Sequence, residues 1–139
     1  MQLLGVHHCA LAVHDMDLML GYYRDALGMT RHPAKYNWLN AGRGFCLHLM
    51  PSTGARTIRD PSRHIAFQVE DLNRCAVWLL AKRLKPYQMS TEMAVFWVMD
   101  GAGALDKGIG TLFLDDPEGN TLEFIERDRG IFSRYDDGL

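Results

Sequence analysis

The sequence predicts an α+β fold built from two similar modules, and two observations support that prediction. A strand followed by a helix-start signal occurs twice, because His8 and His64 each precede a valine by five residues and an aspartate by seven. An internal repeat of this kind indicates two copies of one structural unit. In both copies the predicted helix is followed by strand-like segments separated by turns, so each half is predicted to be a β-α-β-β-β module.

Length and composition are those of an ordinary globular protein, and they exclude several function classes. The 139 residues are predicted to form a single domain, with module one at about 3–55, module two at about 62–127 and a tail at 128–139. A net charge of −2 predicts no binding of nucleic acid or of a membrane surface. Three cysteines without C-x-x-C spacing, and the lack of a targeting or spanning segment, predict a cytoplasmic protein with reduced thiols.

The elements of module one follow from apolar periodicity and from residues that start or stop helices. Asp15 or Asp17 can cap a helix, and Gly28 can end it. The predicted elements are a strand at 6–13, a helix at 18–27 and strands at 30–39 and 44–50. The polar segment at 56–62 contains a proline and is the predicted linker to module two.

Module two repeats the same order of elements. The predicted elements are a strand at 64–69, a helix at about 72–84 that ends before Pro86, and strands at 94–99, 109–114 and 121–126. The tail shows no period, but it contains three large residues, Ile131, Phe132 and Tyr135. We predict that they form a movable cover over the site or, with equal weight, that they pack on the outer surface.

Side chains alternate along a strand, so each strand presents one set to the helices and another set to the opposite face. The bulky apolar residues of the first and last strand of each module form the helix-facing set. The opposite face then carries four residues that can bind a metal: His8, His48, His64 and Glu123. Neutral imidazoles with a carboxylate suit a divalent cation, and two histidines with one carboxylate and open positions are typical of non-haem iron sites.

Two segments resemble the hallmark motifs of the vicinal oxygen chelate superfamily. This group includes glyoxalase I, extradiol dioxygenases, fosfomycin-modifying thiol transferases, methylmalonyl-CoA epimerase and bleomycin resistance proteins. The segments lie at 15–28, with the sequence DMDLMLGYYRDALG, and at 116–123, with the sequence DPEGNTLE. The resemblance spans residues 3–126. It implies paired modules curling around a metal site, in a homodimer that acts on a small molecule.

The resemblance also places the site residues. His8 in the first strand of module one, His64 in the first strand of module two and Glu123 in its last strand match the family's metal-ligand positions. His48, in the last strand of module one, matches the fourth position, and it is predicted either to bind the metal or to act as a catalytic acid or base. Fe(II) is the predicted metal, with Ni, Zn or Mn as alternatives.

The choice of reaction depends on positions where the chain departs from family members. Ala12 stands where glyoxalase I-type lyases carry an arginine, and Ala10 where fosfomycin enzymes carry a threonine. His48 suits an extradiol dioxygenase, although Phe113 stands where that group has a tyrosine. The resemblance therefore implies first a ring-cleaving dioxygenase that acts on a substrate with two vicinal oxygens. The alternatives are a glyoxalase I-like lyase or isomerase or a thiol transferase, and a metal-free small-molecule-binding module.

Overall fold

The structure, a computed structural model, describes residues 6–56, 59–99, 105–106 and 108–127. The chain divides into two compact units, and the division falls between residues 57 and 58, inside the segment predicted as the linker. No helix in the described ranges is long and apolar enough to cross a membrane. Ile131, Phe132 and Tyr135, which are predicted to cover the site, lie outside the described residues.

The first unit is a four-stranded sheet with one helix. Its elements are β1 (His8–Val13), α1 (Met16–Gly21) continuing into a π-helical turn (Tyr22–Ala26), β2 (Thr30–Arg31), β3 (Trp38–Asn40) and β4 (Cys46–Pro51). The strand order is β1-β4-β3-β2, with β1 and β4 parallel and the other pairs antiparallel. The predicted β-α-β-β-β order is confirmed, and its third strand arises because the segment predicted as one strand at 30–39 forms two short strands. The connection between them contains Pro33, which cannot donate a ladder hydrogen bond.

The helix of the first unit begins and ends at the predicted signals. The Asp15 carboxylate accepts a hydrogen bond from the backbone N–H of Leu18 at 3.0 Å, which satisfies an amide that the helix itself leaves unpaired. Gly28, just past the π-helical turn, has a φ of +73°, a left-handed conformation that favours glycine. Tyr23 in that turn is fully buried and anchors the helix on the sheet.

The second unit is a five-stranded sheet with one helix. Its elements are β5 (His64–Val69), α2 (Leu72–Ala81), β6 (Tyr87–Met89), β7 (Val95–Trp97), β8 (Thr111–Asp115) and β9 (Thr121–Glu126). The strand order is β5-β9-β8-β6-β7, with β5 and β9 parallel and the other pairs antiparallel. As in the first unit, the first and last strands therefore lie side by side.

Two carboxylates hold the start of α2. Asp71 accepts from the backbone N–H of Arg74 at 2.9 Å, and Glu126 of β9 accepts from that of Leu72 at 2.7 Å. The predicted end of this helix near residue 84 is wrong, because α2 ends at Ala81. Arg83 then adopts a left-handed φ of 59°, which caps the helix three residues before Pro86.

β6 is absent from the predicted elements, because its middle residue, Gln88, is polar and interrupts the apolar pattern. Gln88 is nevertheless buried. Its side-chain amide donates to the carbonyl oxygens of Asp106 and Thr111 at 3.3 Å and accepts from the N–H of Asp106 at 2.7 Å. Backbone groups therefore satisfy this amide inside the sheet, and the second unit has one strand more than predicted.

In both sheets one face packs on the helix, as the alternation predicts. Its buried residues include Val13, Leu39, Leu47 and Leu49 in the first unit and Leu112, Leu114 and Leu122 in the second. Removing these side chains from water supplies the main favourable term for folding. The opposite face of each sheet carries the candidate site residues.

Candidate functional site

In the second unit, His64 and Glu123 form a hydrogen-bonded pair. β5 and β9 run parallel with Ala66 opposite Glu123, so His64, two residues before Ala66, lies on the same face as the carboxylate. His64 Nε2 is 2.9 Å from Glu123 Oε2. Glu123 is buried, whereas 31% of the His64 side chain is exposed. The structure thus brings together two of the three predicted metal ligands.

The contact of the second ring nitrogen of His64, Nδ1, indicates what can lie between His64 and Glu123. His64 Nδ1 is 2.8 Å from the carbonyl oxygen of Pro61, and because a carbonyl only accepts, Nδ1 carries a proton. A neutral His64 then presents a lone pair at Nε2 to a carboxylate, which also only accepts. Two acceptors at this distance need a cation between them. In the metal-free protein that cation is a proton, and an imidazole oriented by a carbonyl beside a carboxylate also fits a divalent metal.

Burial raises the pKa of the Glu123 carboxyl above its ordinary value, while the neighbouring His64 and a hydrogen bond from Thr111 partly oppose this. Glu123 therefore holds a proton more tightly than an exposed glutamate does. A metal that binds to this carboxylate must displace that proton, so metal binding is expected to release it into solution.

The third predicted ligand, His8, belongs to the first unit. Within the described residues of either unit, no group of three histidine, cysteine, aspartate or glutamate side chains that could hold a metal is present. The participation of His8 beside His64 and Glu123 therefore stays a prediction from the resemblance.

Aromatic rings extend from this pair across the same face of the second sheet. Phe113 lies opposite Glu123 on β8, and its ring centroid is 5.8 Å from that of His64. Tyr87 stacks on Phe113 at 5.6 Å, and Trp97 lies 5.3 Å beyond Tyr87. Phe113 and Tyr87 are buried, whereas 52% of Trp97 is exposed. The Glu123 carboxylate therefore borders an apolar surface formed by these rings, which we call the apolar floor.

An ion pair covers part of this ring row. The guanidinium of Arg59 lies 4.6 Å from the Tyr87 ring centroid, and its Nε is 2.6 Å from Asp115 Oδ2. Asp115 also accepts hydrogen bonds from the hydroxyls of Tyr87 at 3.1 Å and Thr121 at 2.9 Å. Burial raises the pKa of Tyr87, although Arg59 opposes this, so the phenol remains a donor.

In the first unit, His48 occupies the place that Glu123 has in the second. β1 pairs with β4 so that Ala10, two residues after His8, lies opposite His48. The two imidazole centroids are 6.0 Å apart. Trp38, opposite His48 on β3, stacks on that ring at 4.4 Å and lies 4.7 Å from His8. This face therefore carries a cluster of rings rather than a histidine–carboxylate pair.

Asn37 contacts the His48 ring at its Nε2 atom. Asn37 Nδ2 is 3.1 Å from His48 Nε2 and 2.8 Å from the carbonyl oxygen of Leu49. Neither Asn37 nor Trp38 is among the predicted site residues. A lone asparagine and a lone tryptophan carry no motif, and only the pairing of β3 with β4 reveals their positions.

His48 is electrically neutral near pH 7. Partial burial lowers the pKa of His48, and electrostatic repulsion from the neighbouring His8 and Lys35 lowers it further. Lys35 belongs to the connection between β2 and β3, where residues 31–36 line a cavity of about 580 Å³. Near neutral pH the resting imidazole is therefore uncharged, with one nitrogen that can donate a hydrogen bond and one that can accept.

The fold is shared with solved structures of low sequence identity. The oxidase ChaP-H2 is 20% identical with a TM-score of 0.66, over 94% of this chain and 99% of that chain. A structure described as a glyoxalase family protein, from Bacillus anthracis, is 18% identical with a TM-score of 0.66, over 91% and 97%. TnmS3, an antibiotic binding protein from Streptomyces sp. CB03234, is 17% identical with a TM-score of 0.59, over 91% and 98%. At these identities the likeness shows the fold alone.

Among curated proteins no significant match is found. The family model described as Glyoxalase/Bleomycin resistance protein/Dioxygenase superfamily matches residues 5–124, which is most of the chain and includes all four candidate site residues. The predicted resemblance to the vicinal oxygen chelate group is thereby confirmed. The chain belongs to the glyoxalase/bleomycin resistance protein/dioxygenase superfamily.

Proposed function

We propose that this protein is a divalent-metal-dependent enzyme that acts on a small substrate with two vicinal oxygens. The observation that carries the proposal is the pair of facing acceptors, His64 Nε2 and Glu123 Oε2, at 2.9 Å. His64 and Glu123 would hold the ion, and His8 would be the third ligand, from the same chain or from a second copy. When bound, the ion would act as a Lewis acid toward the two substrate oxygens.

The residues around the pair have separate tasks. The carbonyl of Pro61 keeps a proton on His64 Nδ1, so that Nε2 is the nitrogen that faces Glu123 and would bind the metal. The buried Phe113 keeps water away from the Glu123 carboxylate and strengthens its interaction with a cation. His48 is assigned to the substrate, because a neutral imidazole can donate a hydrogen bond or exchange a proton with a substrate oxygen.

Among the reactions of the superfamily, we place a ring-cleaving dioxygenase with Fe(II) first. The half-exposed Trp97 ring, which lies next to Tyr87 at the end of the ring row, offers a flat surface that favours a planar aromatic substrate over an aliphatic one. Two histidines with one carboxylate leave open positions for substrate and oxygen, as non-haem iron chemistry requires. One protein of similar fold is described as an oxidase. A lyase, isomerase or thiol transferase using Ni, Zn or Mn is the alternative within the same metal-dependent class.

A metal-free binding module is the candidate from another class. A proton shared by His64 and Glu123 satisfies both groups without a metal, and a protein of similar fold, TnmS3, is described as binding an antibiotic. The half-exposed Trp97 at the end of the ring row would then contact a planar ligand. We also expect a homodimer, which light scattering at micromolar concentration tests independently of the reaction. The expected location is the cytoplasm.

Metal analysis separates these candidates. Protein purified without added metal or chelator is assayed for bound metals, and the apoprotein is then titrated anaerobically with Fe(II), Mn, Ni and Zn. We expect tight binding of one ion per site, and oxygen consumption by the Fe(II) form with catechols. Isomerisation of a hemithioacetal by the Ni or Zn form would favour the lyase. If none of the four ions binds tightly, the enzyme proposal fails and the binding module takes its place.

A further inference from the structure

The amide of Asn37 makes two contacts that together determine the hydrogen-bonding state of His48. Its Nδ2 lies 2.8 Å from the carbonyl oxygen of Leu49 and 3.1 Å from His48 Nε2. The carbonyl can only accept, so the atom at this position must be the amide NH₂ group and not the amide oxygen. The same NH₂ group faces the histidine and therefore donates to it as well.

A donor opposite His48 Nε2 requires a lone pair on that nitrogen. An imidazole that carries a lone pair on Nε2 is neutral, so its single ring proton must be on Nδ1. The ring cannot turn over easily to exchange the two nitrogens, because Trp38 is stacked on it with an interplanar angle of 26°. Among the described residues, His48 Nδ1 has no hydrogen-bond partner, so its N–H remains available to a ligand.

We propose that Asn37 is a positioning residue that holds His48 in the Nδ1–H tautomer, so that His48 donates a hydrogen bond from Nδ1 to a substrate oxygen and does not bind the metal through Nε2. The role toward substrate rests on the proposed function, whereas the tautomer does not. A fixed N–H aimed at an oxygen that gains negative charge is worth more than a mobile one, because no reorganisation is needed during the reaction.

The tautomer can be measured on the full-length protein without substrate. Nitrogen-15 NMR of histidine-labelled protein distinguishes a protonated ring nitrogen from one with a lone pair, and the metal-free and Zn-loaded forms are both suitable. Asn37→Asp replaces the donor by an acceptor, which should move the proton to Nε2. Asn37→Leu removes the contact and should give a mixture of tautomers. Asn40→Asp is the matched control, three residues further along at the end of β3, because the side-chain oxygen of Asn40 accepts from the N–H of Gly42 at 2.9 Å.

We expect Nδ1–H in the wild type and in Asn40→Asp, and Nε2–H in Asn37→Asp. Metal content should not change in any variant. Once a substrate is known, kcat of Asn37→Leu should fall about 10- to 100-fold with a smaller change in KM. The proposal is overturned if wild-type His48 carries its proton on Nε2, if Asn37→Leu leaves a single Nδ1–H tautomer, or if loss of Asn37 releases the metal. Failure of the metal proposal would instead appear as wild-type protein that binds no metal while its His48 tautomer is as expected.

Discussion

His48 in the first unit and Glu123 in the second occupy the same place in their sheets, since His48 lies opposite the residue two positions after His8, and Glu123 opposite the residue two positions after His64. Their contacts differ. Glu123 bonds directly to His64, whereas the ring of His48 is 6.0 Å from that of His8 and bonds to Asn37 instead. A repeated backbone register therefore does not imply a repeated pairing of side chains.

The physical reason for the difference is charge. A carboxylate opposite an imidazole can share a proton or a metal ion with it, so the two groups approach to hydrogen-bond distance. Two imidazoles can form a hydrogen bond, but they lack the opposite charges that strengthen the bond between an imidazolium and a carboxylate. His48 instead contacts an amide and a stacked ring, and its partial burial lowers its pKa. The two equivalent positions therefore differ in charge and in hydrogen-bond partners, which is why we propose different roles for them.

The largest expected effect is on metal binding by Glu123→Gln. The glutamine amide can donate to the lone pair of His64 Nε2, so the fold should be kept while the anionic ligand is lost. We expect metal affinity to fall by more than about 100-fold, beyond the range seen for residues that only support a ligand. Calorimetric titration of apoprotein with Zn or Fe(II) measures this.

Glu126→Gln is the matched control for that experiment. Glu126 lies three residues along the same strand, on the opposite face, and its carboxylate accepts from the N–H of Leu72, which a glutamine oxygen can also do. Metal affinity should be unchanged in this variant. Equal loss of metal in both variants would mean that Glu123 acts through stability rather than as a ligand.

A somewhat smaller effect is expected for His48→Ala. Metal content should be retained, and turnover should fall by about 100-fold, which is the lower range for loss of a positioned acid or base. Oxygen consumption and metal content are measured on the same Fe(II)-loaded sample. Loss of metal would identify His48 as a fourth ligand, and full turnover with full metal content would show that it only lines the site.

The alternation of residues along strands was sufficient to predict which residues share a face. It placed His8 with His48 and His64 with Glu123, and both placements agree with the register of the parallel strands. The helix start at Asp15 and the repeat of the module were also readable, because caps and apolar periods are local signals. These features depend on neighbours in sequence, and one chain is enough to see them.

The contacts of His48 were not predictable for the opposite reason. They depend on the register between β3 and β4, because a shift of one residue would move every side chain of one strand to the opposite face. That register is set by a turn in which Gly42, Arg43 and Gly44 all have positive φ, and an arginine gives no sign of a left-handed conformation. Asn37 meets His48 only because Trp38 lies opposite His48 in this register.

The aromatic residues opposite Glu123 and His48 are expected to contribute unequally to the free energy of unfolding. Phe113 lies opposite Glu123 and is 4% exposed, whereas Trp38 lies opposite His48 and is only partly buried. Phe113→Ala should therefore lower the free energy of unfolding by about 3 kcal/mol, and Trp38→Ala by about half of that. Urea unfolding measures both, with the half-exposed Trp78→Ala on α2 as a control expected to cost less. A larger loss of unfolding free energy for Trp38→Ala than for Phe113→Ala would mean that the ring cluster around His48 contributes more to stability than the apolar floor beside Glu123.

The smallest expected effect is the pH dependence of stability in the metal-free protein. Burial raises the pKa of Glu123 above the ordinary value of 4.5, so the folded state binds this proton more tightly than the unfolded state. Its contribution to stability is therefore fully present below pH 4.5 and is lost as the pH rises through the raised pKa of the folded state.

The variant Glu123→Gln has no carboxyl group to titrate at this position. The difference in unfolding free energy between wild type and this variant should thus shift against the wild type with rising pH, at no more than about 1.4 kcal/mol per pH unit. Chemical unfolding at several pH values above 4.5 measures the slope. A difference that stays constant, or that moves in favour of the wild type, would mean that the ionised carboxylate is stabilised by His64 more than burial disfavours it.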